Sequence, residues 1–161
     1  MARLKGADTF HVDSAKSTLN WAKRNMEESK LLNIKWVHED ALKFAAREVK
    51  RENRYKGIIM DPPAFGHGAN KELWKIEENF LELIDLCQQV LSDNPLFVLI
   101  NGYTAGYSPI AYENVLKDMM SDKKGNIEIG ELTIAESKSD RLLPCGIFAR
   151  WERRNTSTGR S

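Results

Sequence analysis

Three apolar runs each stop on an aspartate: "FHVD" at Asp13, "VHED" at Asp40 and "IIMD" at Asp61. Between them the spacing turns helical. Ala15, Leu19, Ala22 and Met26 recur at the interval of one buried helical stripe, as do Leu42, Ala45 and Val49, and Ser14 stands where an N-cap is expected. Strand, helix, strand, helix is the signature of an α/β fold with a mostly parallel open sheet and helices on both faces. Such strands point one way, so the residues that follow them gather on one edge of the sheet, where ligands of open α/β sheets bind. The three acids are therefore expected side by side.

The rest of the chain extends the same rhythm and then breaks it. From Lys71 to Ser92 the stripe Leu73, Ile76, Phe80, Ile84, Cys87, Leu91 predicts the longest helix. Leu96 to Gly102 is nearly continuous in apolar residues, as a strand covered on both faces should be, and Pro109 opens a further helix to Ser121. After Gly125 come two strands with no helix between them, "NIEIGELTI" and "LPCGIFARWE", which predict a C-terminal antiparallel hairpin. The polar end, residues 153–161, is expected to be a flexible tail, leaving 1–152 as one domain.

At 161 residues and 42% apolar content the chain suits a single core. It has no membrane-length apolar run and no secretory signal pattern, so a cytoplasmic protein is expected. Cys87 and Cys145 lie far apart, and His11, His38 and His67 lack helical metal-pair spacing, so no metal site is expected. A net charge of +1 predicts no strong capture of polyanions. Lys71, Lys75, Arg141, Arg150, Arg153 and Arg154 read first as solvated faces, and Trp21, Trp36, Trp74 and Trp151 as core or half-buried residues.

An aspartate after a strand is by itself equally a cap or turn residue. Three in a row describe acceptors for a nucleoside: a carboxylate takes hydrogen bonds from both ribose hydroxyls at the first place, or from an adenine amine at the second. The third acid heads "DPPAFGHG" (Asp61 to Gly68), where Pro62 and Pro63 fix the backbone, remove two amide donors and leave carbonyls to accept a bond from a target amine. Phe65 is placed to stack on a base, and Gly66 and Gly68 let the loop approach a substrate. The competing reading is a plain strand terminator followed by a core-sealing aromatic.

"VDSAKSTLNWAKRN", "HEDALKF" and "IIMDPPAFGHG", in that order, resemble the catalytic domain of class I S-adenosylmethionine-dependent methyltransferases, and more narrowly the branch of ribosomal RNA large-subunit methyltransferases. The likeness covers nearly the whole chain, including "LLPCGIFARW" as the last strand. It implies a Rossmann-like sheet, S-adenosylmethionine as cofactor, and an RNA acceptor for the complete protein. By the same likeness Asp13 and Ser14 hold the ribose and Asp40 and Ala41 the adenine. Asp61 also binds the cofactor; with Pro62, Pro63 and Phe65 it forms the reaction centre, and Phe65, Asn101 and Tyr103 receive the substrate. Two departures qualify it. The loop "NGYTAGYSP" lacks the cysteine with which cytosine carbon-5 enzymes attack the ring, so an amine or hydroxyl acceptor fits better; Cys87 reads as core and Cys145 as packed. Ala64 also sets the aromatic one place later than in DPPY-type amino methyltransferases.

The family's glycine-rich cofactor loop and first strand have no counterpart before "ARLKGAD", which reads as the end of a helix closed by Gly6. The expectation is a truncated domain with its first strand and first helix largely missing, completed by self-association or by an N-terminal segment. A degenerate, non-catalytic binding or assembly module is the alternative function. A dinucleotide oxidoreductase has no positive feature in its favour.

Overall fold

A computed structural model describes residues 2–68, 73–104 and 106–154. It opens with a single 3-10 turn, Arg3–Lys5, closed by Gly6 at φ 85°, a left-handed position natural to glycine. Strand β1 (Thr9–Asp13), helix α1 (Lys16–Glu28), strand β2 (Ile34–His38), helix α2 (Ala41–Lys50) and strand β3 (Gly57–Met60) follow as the hydrophobic spacing predicts. The cap of α1 differs from expectation. Its N-cap is Ala15, not Ser14, because the Asp13 carboxylate bends back to accept the Ala15 N–H at 2.7 Å. Of the expected α1 stripe only Leu19 is fully buried, Ala15 is exposed, and Trp21 is 69% exposed rather than half-buried.

The longest helix, α3, runs Ile76–Val90, so its predicted start at Lys71 is corrected. Residues Leu73–Lys75 form strand β5, antiparallel to β4 (Phe65–His67). Helix geometry begins only where Asn79 Oδ1 accepts the Lys75 N–H at 2.9 Å and where Glu77 and Glu78 meet the positive end of the helix. Lys71 lies outside the described residues. The remaining elements are β6 (Phe97–Gly102), α4 (Pro109–Met119), β7 (Gly125–Ala135) and β8 (Leu142–Arg153). Residues 155–161, most of the expected tail, also lie outside the described residues.

The strands fall into separate sheets. One is the parallel pair β1-β2; the second has the order β3-β6-β8-β7, with β3 and β6 parallel and β8 antiparallel to both its neighbours; the third is the small β4-β5 hairpin. The fold is α/β with its crossover strands parallel and its last hairpin antiparallel.

One face of the second sheet, through Met60, Val98, Ile100, Ala149 and Trp151, packs on Ile76, Phe80 and Ile84 of α3 and on Tyr112 and Leu116 of α4. Helix α2 touches the β1-β2 pair through Phe44, whose ring meets Phe10 at 6.3 Å between centroids, and the approach to β3 through Glu48, which is 2% exposed. Its carboxylate accepts from Tyr55 Oη (2.6 Å) and Asn53 Nδ2 (2.7 Å), ahead of β3, and from Arg51 Nη1 (3.3 Å). Burial pushes the Glu48 carboxyl up, but these donors together outweigh it and hold it below the ordinary glutamate value. The same burial and contact push the Tyr55 hydroxyl up.

Candidate functional site

The register of the parallel pair sets Asp13 directly beside His38, and Asp40 follows two residues later at the N-cap of α2. Both acids thus leave the same end of the β1-β2 pair. Each is also a cap: Asp40 Oδ1 accepts the Lys43 N–H at 3.1 Å, as Asp13 does for Ala15. That use takes one of the roughly four lone-pair positions of a carboxylate and leaves acceptor capacity toward solvent. Ser14 contributes its carbonyl to His38 Nε2 at 2.9 Å, a bond that needs the proton on that nitrogen. Ala41 is the exposed first residue of α2. An open cavity of about 570 Å³ lies here, lined by Trp36, His38, Glu39, Asp40 and Arg47, with Glu39 and Arg47 ion-paired across it.

Asp61 leaves the matching end of the second sheet. Helix α2 returns the chain from β2 to β3, which keeps the strand direction, and Tyr55 ahead of β3 meets Phe10 near the start of β1 edge-on at 5.5 Å. The beginnings of β1 and β3 therefore lie together. The loop after Asp61 is held at three points. Pro62 is buried, the Pro63 carbonyl accepts Trp74 Nε1 at 2.6 Å, and the Ala64 carbonyl accepts the Ile76 N–H at 3.0 Å. The expectation that the prolyl carbonyls stand free is thus corrected for Pro63, whose acceptor is spent on anchoring the loop. Phe65 does not seal the core. It is 58% exposed, with the His67 ring edge-on at 5.4 Å on the same face of the β4-β5 hairpin.

Asn101 and Tyr103 follow β6 at this end; Asn101 is half-buried opposite Phe148, and Tyr103 is exposed. Tyr107 packs instead on Tyr112, with ring centroids 5.9 Å apart. Sequence reasoning missed Tyr112. It is fully buried, its hydroxyl has no hydrogen-bond partner, and burial raises its pKa, with smaller contributions from Tyr107 and from the Asp61 charge. Its spacing with Leu116 marks it as core, and only the hydroxyl at the end of an apolar stripe hints at the site above it. Cys87 is core as expected, its thiol pushed up to about 12 by burial. Cys145 is not packed but exposed, on the ribbon where β7 and β8 run beyond the rest of the sheet.

No family model matches the chain. Among solved structures, a SAM-dependent methyltransferase from Agrobacterium tumefaciens superposes with a TM-score of 0.89 at 33% identity, covering 95% of this chain and 51% of that one. The chain is similar to SAM-dependent methyltransferases. Among curated methyltransferases, ribosomal RNA large subunit methyltransferase K of Neisseria meningitidis serogroup B is 24% identical over 155 residues, 94% of this chain and 40% of that protein. The K/L enzyme of Aeromonas hydrophila is 30% identical over 104 residues, 62% of this chain and 14% of that protein. The structure of SMU.776 complexed with SAH shares the methyltransferase fold, with a TM-score of 0.68 at 20% identity. This chain spans about half or less of the length of these methyltransferases.

The acceptors at Asp13 and Asp40, beside an open cavity at the ends of parallel strands, fit the nucleoside half of such a cofactor.

Proposed function

We propose that this chain forms the nucleoside-binding and acceptor side of an S-adenosylmethionine-dependent methyltransferase that modifies nucleic acid, with ribosomal RNA the first candidate. Asp13 with Ser14 takes the ribose, and Asp40 with Ala41 the adenine. When bound, the cofactor supplies a methyl group already activated on a sulfonium. The chain's own residues then have chiefly to position an acceptor, since alignment within ~3 to 3.5 Å accounts for much of such a rate.

The observation that carries this reading is the "DPPAF" loop: an exposed acid directly after β3, a buried proline, two anchored carbonyls and a solvent-facing ring within five consecutive positions. Asp61 and the carbonyl of Pro62 orient an acceptor N–H, Pro63 keeps the backbone in place, and Phe65 stacks on the base, with Asn101 and Tyr103 bounding the opposite side. The names of the curated relatives support an RNA acceptor.

The second reading, a non-catalytic binding or assembly module, draws on the break between the β1-β2 pair and the four-stranded sheet. Transfer of labelled methyl from S-adenosylmethionine to ribosomal RNA by the chain and its Asp61→Ala variant separates the two. A loss of a hundredfold or more on substitution is expected, because the exposed Asp61 side chain has no structural bond to lose. Wild-type rates in the variant would remove Asp61 from the centre, and absence of transfer by both chains would favour the module.

A further inference from the structure

The net charge of +1 conceals a separation of charge that the four-stranded sheet brings out. Asp61 follows one end of β3 and Lys56 precedes the other. At that second border, backbone hydrogen bonds align several segments of the chain. The Lys56 carbonyl accepts the Leu96 N–H at 2.6 Å, the Leu96 carbonyl accepts the Arg153 N–H at 2.9 Å, and the Lys124 carbonyl accepts the Arg154 N–H at 3.4 Å. Lys56, Arg153, Arg154 and Lys124 thus follow the strand order β3-β6-β8-β7 as one row. Adjacent strands stand ~4.8 Å apart, so the row is ~14 Å long.

All four side chains are exposed, and none is ion-paired among the described residues. The acids nearby are mostly taken: Asp122 by Lys123 at 2.6 Å and Glu128 by Arg150 at 2.5 Å, with Glu152 3.6 Å from the same guanidinium. Asp93, in the turn before Leu96, remains as a counter-charge. Cations held in a row repel one another, and an anion that meets the row relieves this. A second, independent feature adjoins it. An open cavity of about 620 Å³ is apolar on one side, with Leu96, Phe97 and Leu99, and cationic on the other, with Arg150, Arg153 and Arg154 against Glu152.

We infer that this border binds the sugar-phosphate backbone of single-stranded nucleic acid. Lys56, Arg153, Arg154 and Lys124 meet successive phosphates, and an unstacked base lies against Leu96, Phe97 and Leu99. The cations supply the hold, and the apolar wall favours a strand whose bases are free over a duplex whose bases are stacked away. A row ~14 Å long suits a chain of phosphates and not a single anion. An acidic peptide would satisfy the row but leave the apolar wall bare. Lys56 lies five residues from Asp61 along an extended strand, ~16 Å at ~3.3 Å per residue. The border is therefore a second hold on a polynucleotide, separate from the acceptor site. It stands on charge and placement, independently of the methyltransferase reading.

The test is fluorescence anisotropy of the chain, without cofactor, with labelled oligouridylate and oligothymidylate of about 12 nucleotides, between about 50 and 200 mM salt. Micromolar binding is expected at the lower salt, within about threefold for the two sugars because the cations read phosphate. Arg153→Gln with Arg154→Gln should weaken it at least about tenfold and flatten the slope of log affinity against log salt by ~1.4, the share of two single-strand phosphates. Lys124→Gln alone should weaken it about threefold. The charge-matched pair Lys23→Gln with Arg24→Gln, both exposed on α1, should stay within about twofold of wild type. Several results would overturn the inference: equal losses in the two pairs, no binding by the wild type, a preference above about threefold for one sugar, tighter binding of a duplex of the same length, or displacement by polyglutamate as readily as by unlabelled oligouridylate. Methyl transfer by Asp61→Ala reports on the acceptor site alone, so the two readings fail separately.

Discussion

Glu48 shows how much of this molecule's integrity passes through one side chain. Its carboxylate is closed off from water and bound by Tyr55, Asn53 and Arg51, so removing it strands several donors at the joint between α2 and β3. Glu48→Ala is expected to cost about 2 to 4 kcal/mol in urea unfolding. Because the folded carboxyl lies below its ordinary value of 4.5, its contribution is complete above that value and is lost as pH falls through the lower folded one. Stability of the wild type should therefore decline more steeply below pH 4.5 than that of Glu48→Gln.

At Gly102 a Cβ would stand 2.1 Å from the Tyr112 hydroxyl, which is buried and cannot swing away. Gly102→Ala should lower the unfolding midpoint by the equivalent of about 1 to 3 kcal/mol, with part of that recovered in the double variant with Tyr112→Phe. The acids were legible at this scale because a strand ending in aspartate is visible in sequence. Tyr112 was not, since an aromatic on a helical stripe looks the same whether or not its hydroxyl finds a partner.

At the scale of elements, α1 to α4 and the longer strands follow from apolar spacing, while the β4-β5 hairpin does not. Its strands are three residues each, too short for a period to register, and Leu73 falls in phase with the α3 stripe and so lengthens the apparent helix. What fixes the hairpin is long-range: Trp74 Nε1 on the Pro63 carbonyl. Trp74→Phe keeps most of the buried ring and removes that bond. It should cost about 1 kcal/mol globally and raise hydrogen exchange at Phe65–His67 well beyond that, because the hairpin rather than the core loses its anchor. Equal effects at both places would mean that the hairpin and core open as one unit.

For the whole molecule, the α/β class and the terminal antiparallel pair could be read from the order of strand and helix patterns. The division of the parallel strands into two sheets required coordinates, because pairing partners are not written in local sequence. Asp13 and Asp40 stand at one end of a parallel pair, and Asp61 at the end of the next strand along the chain. We propose that these three ends form one nucleoside rim. Titration of the isotope-labelled chain with S-adenosylhomocysteine to millimolar concentration, followed through its amide resonances, tests this most directly. The amides of residues 13–15, 38–41 and 61–62 are expected to shift together along one binding curve. Shifts confined to the face around Leu96 and Arg150, or separate curves for Asp13 and Asp61, would contradict it.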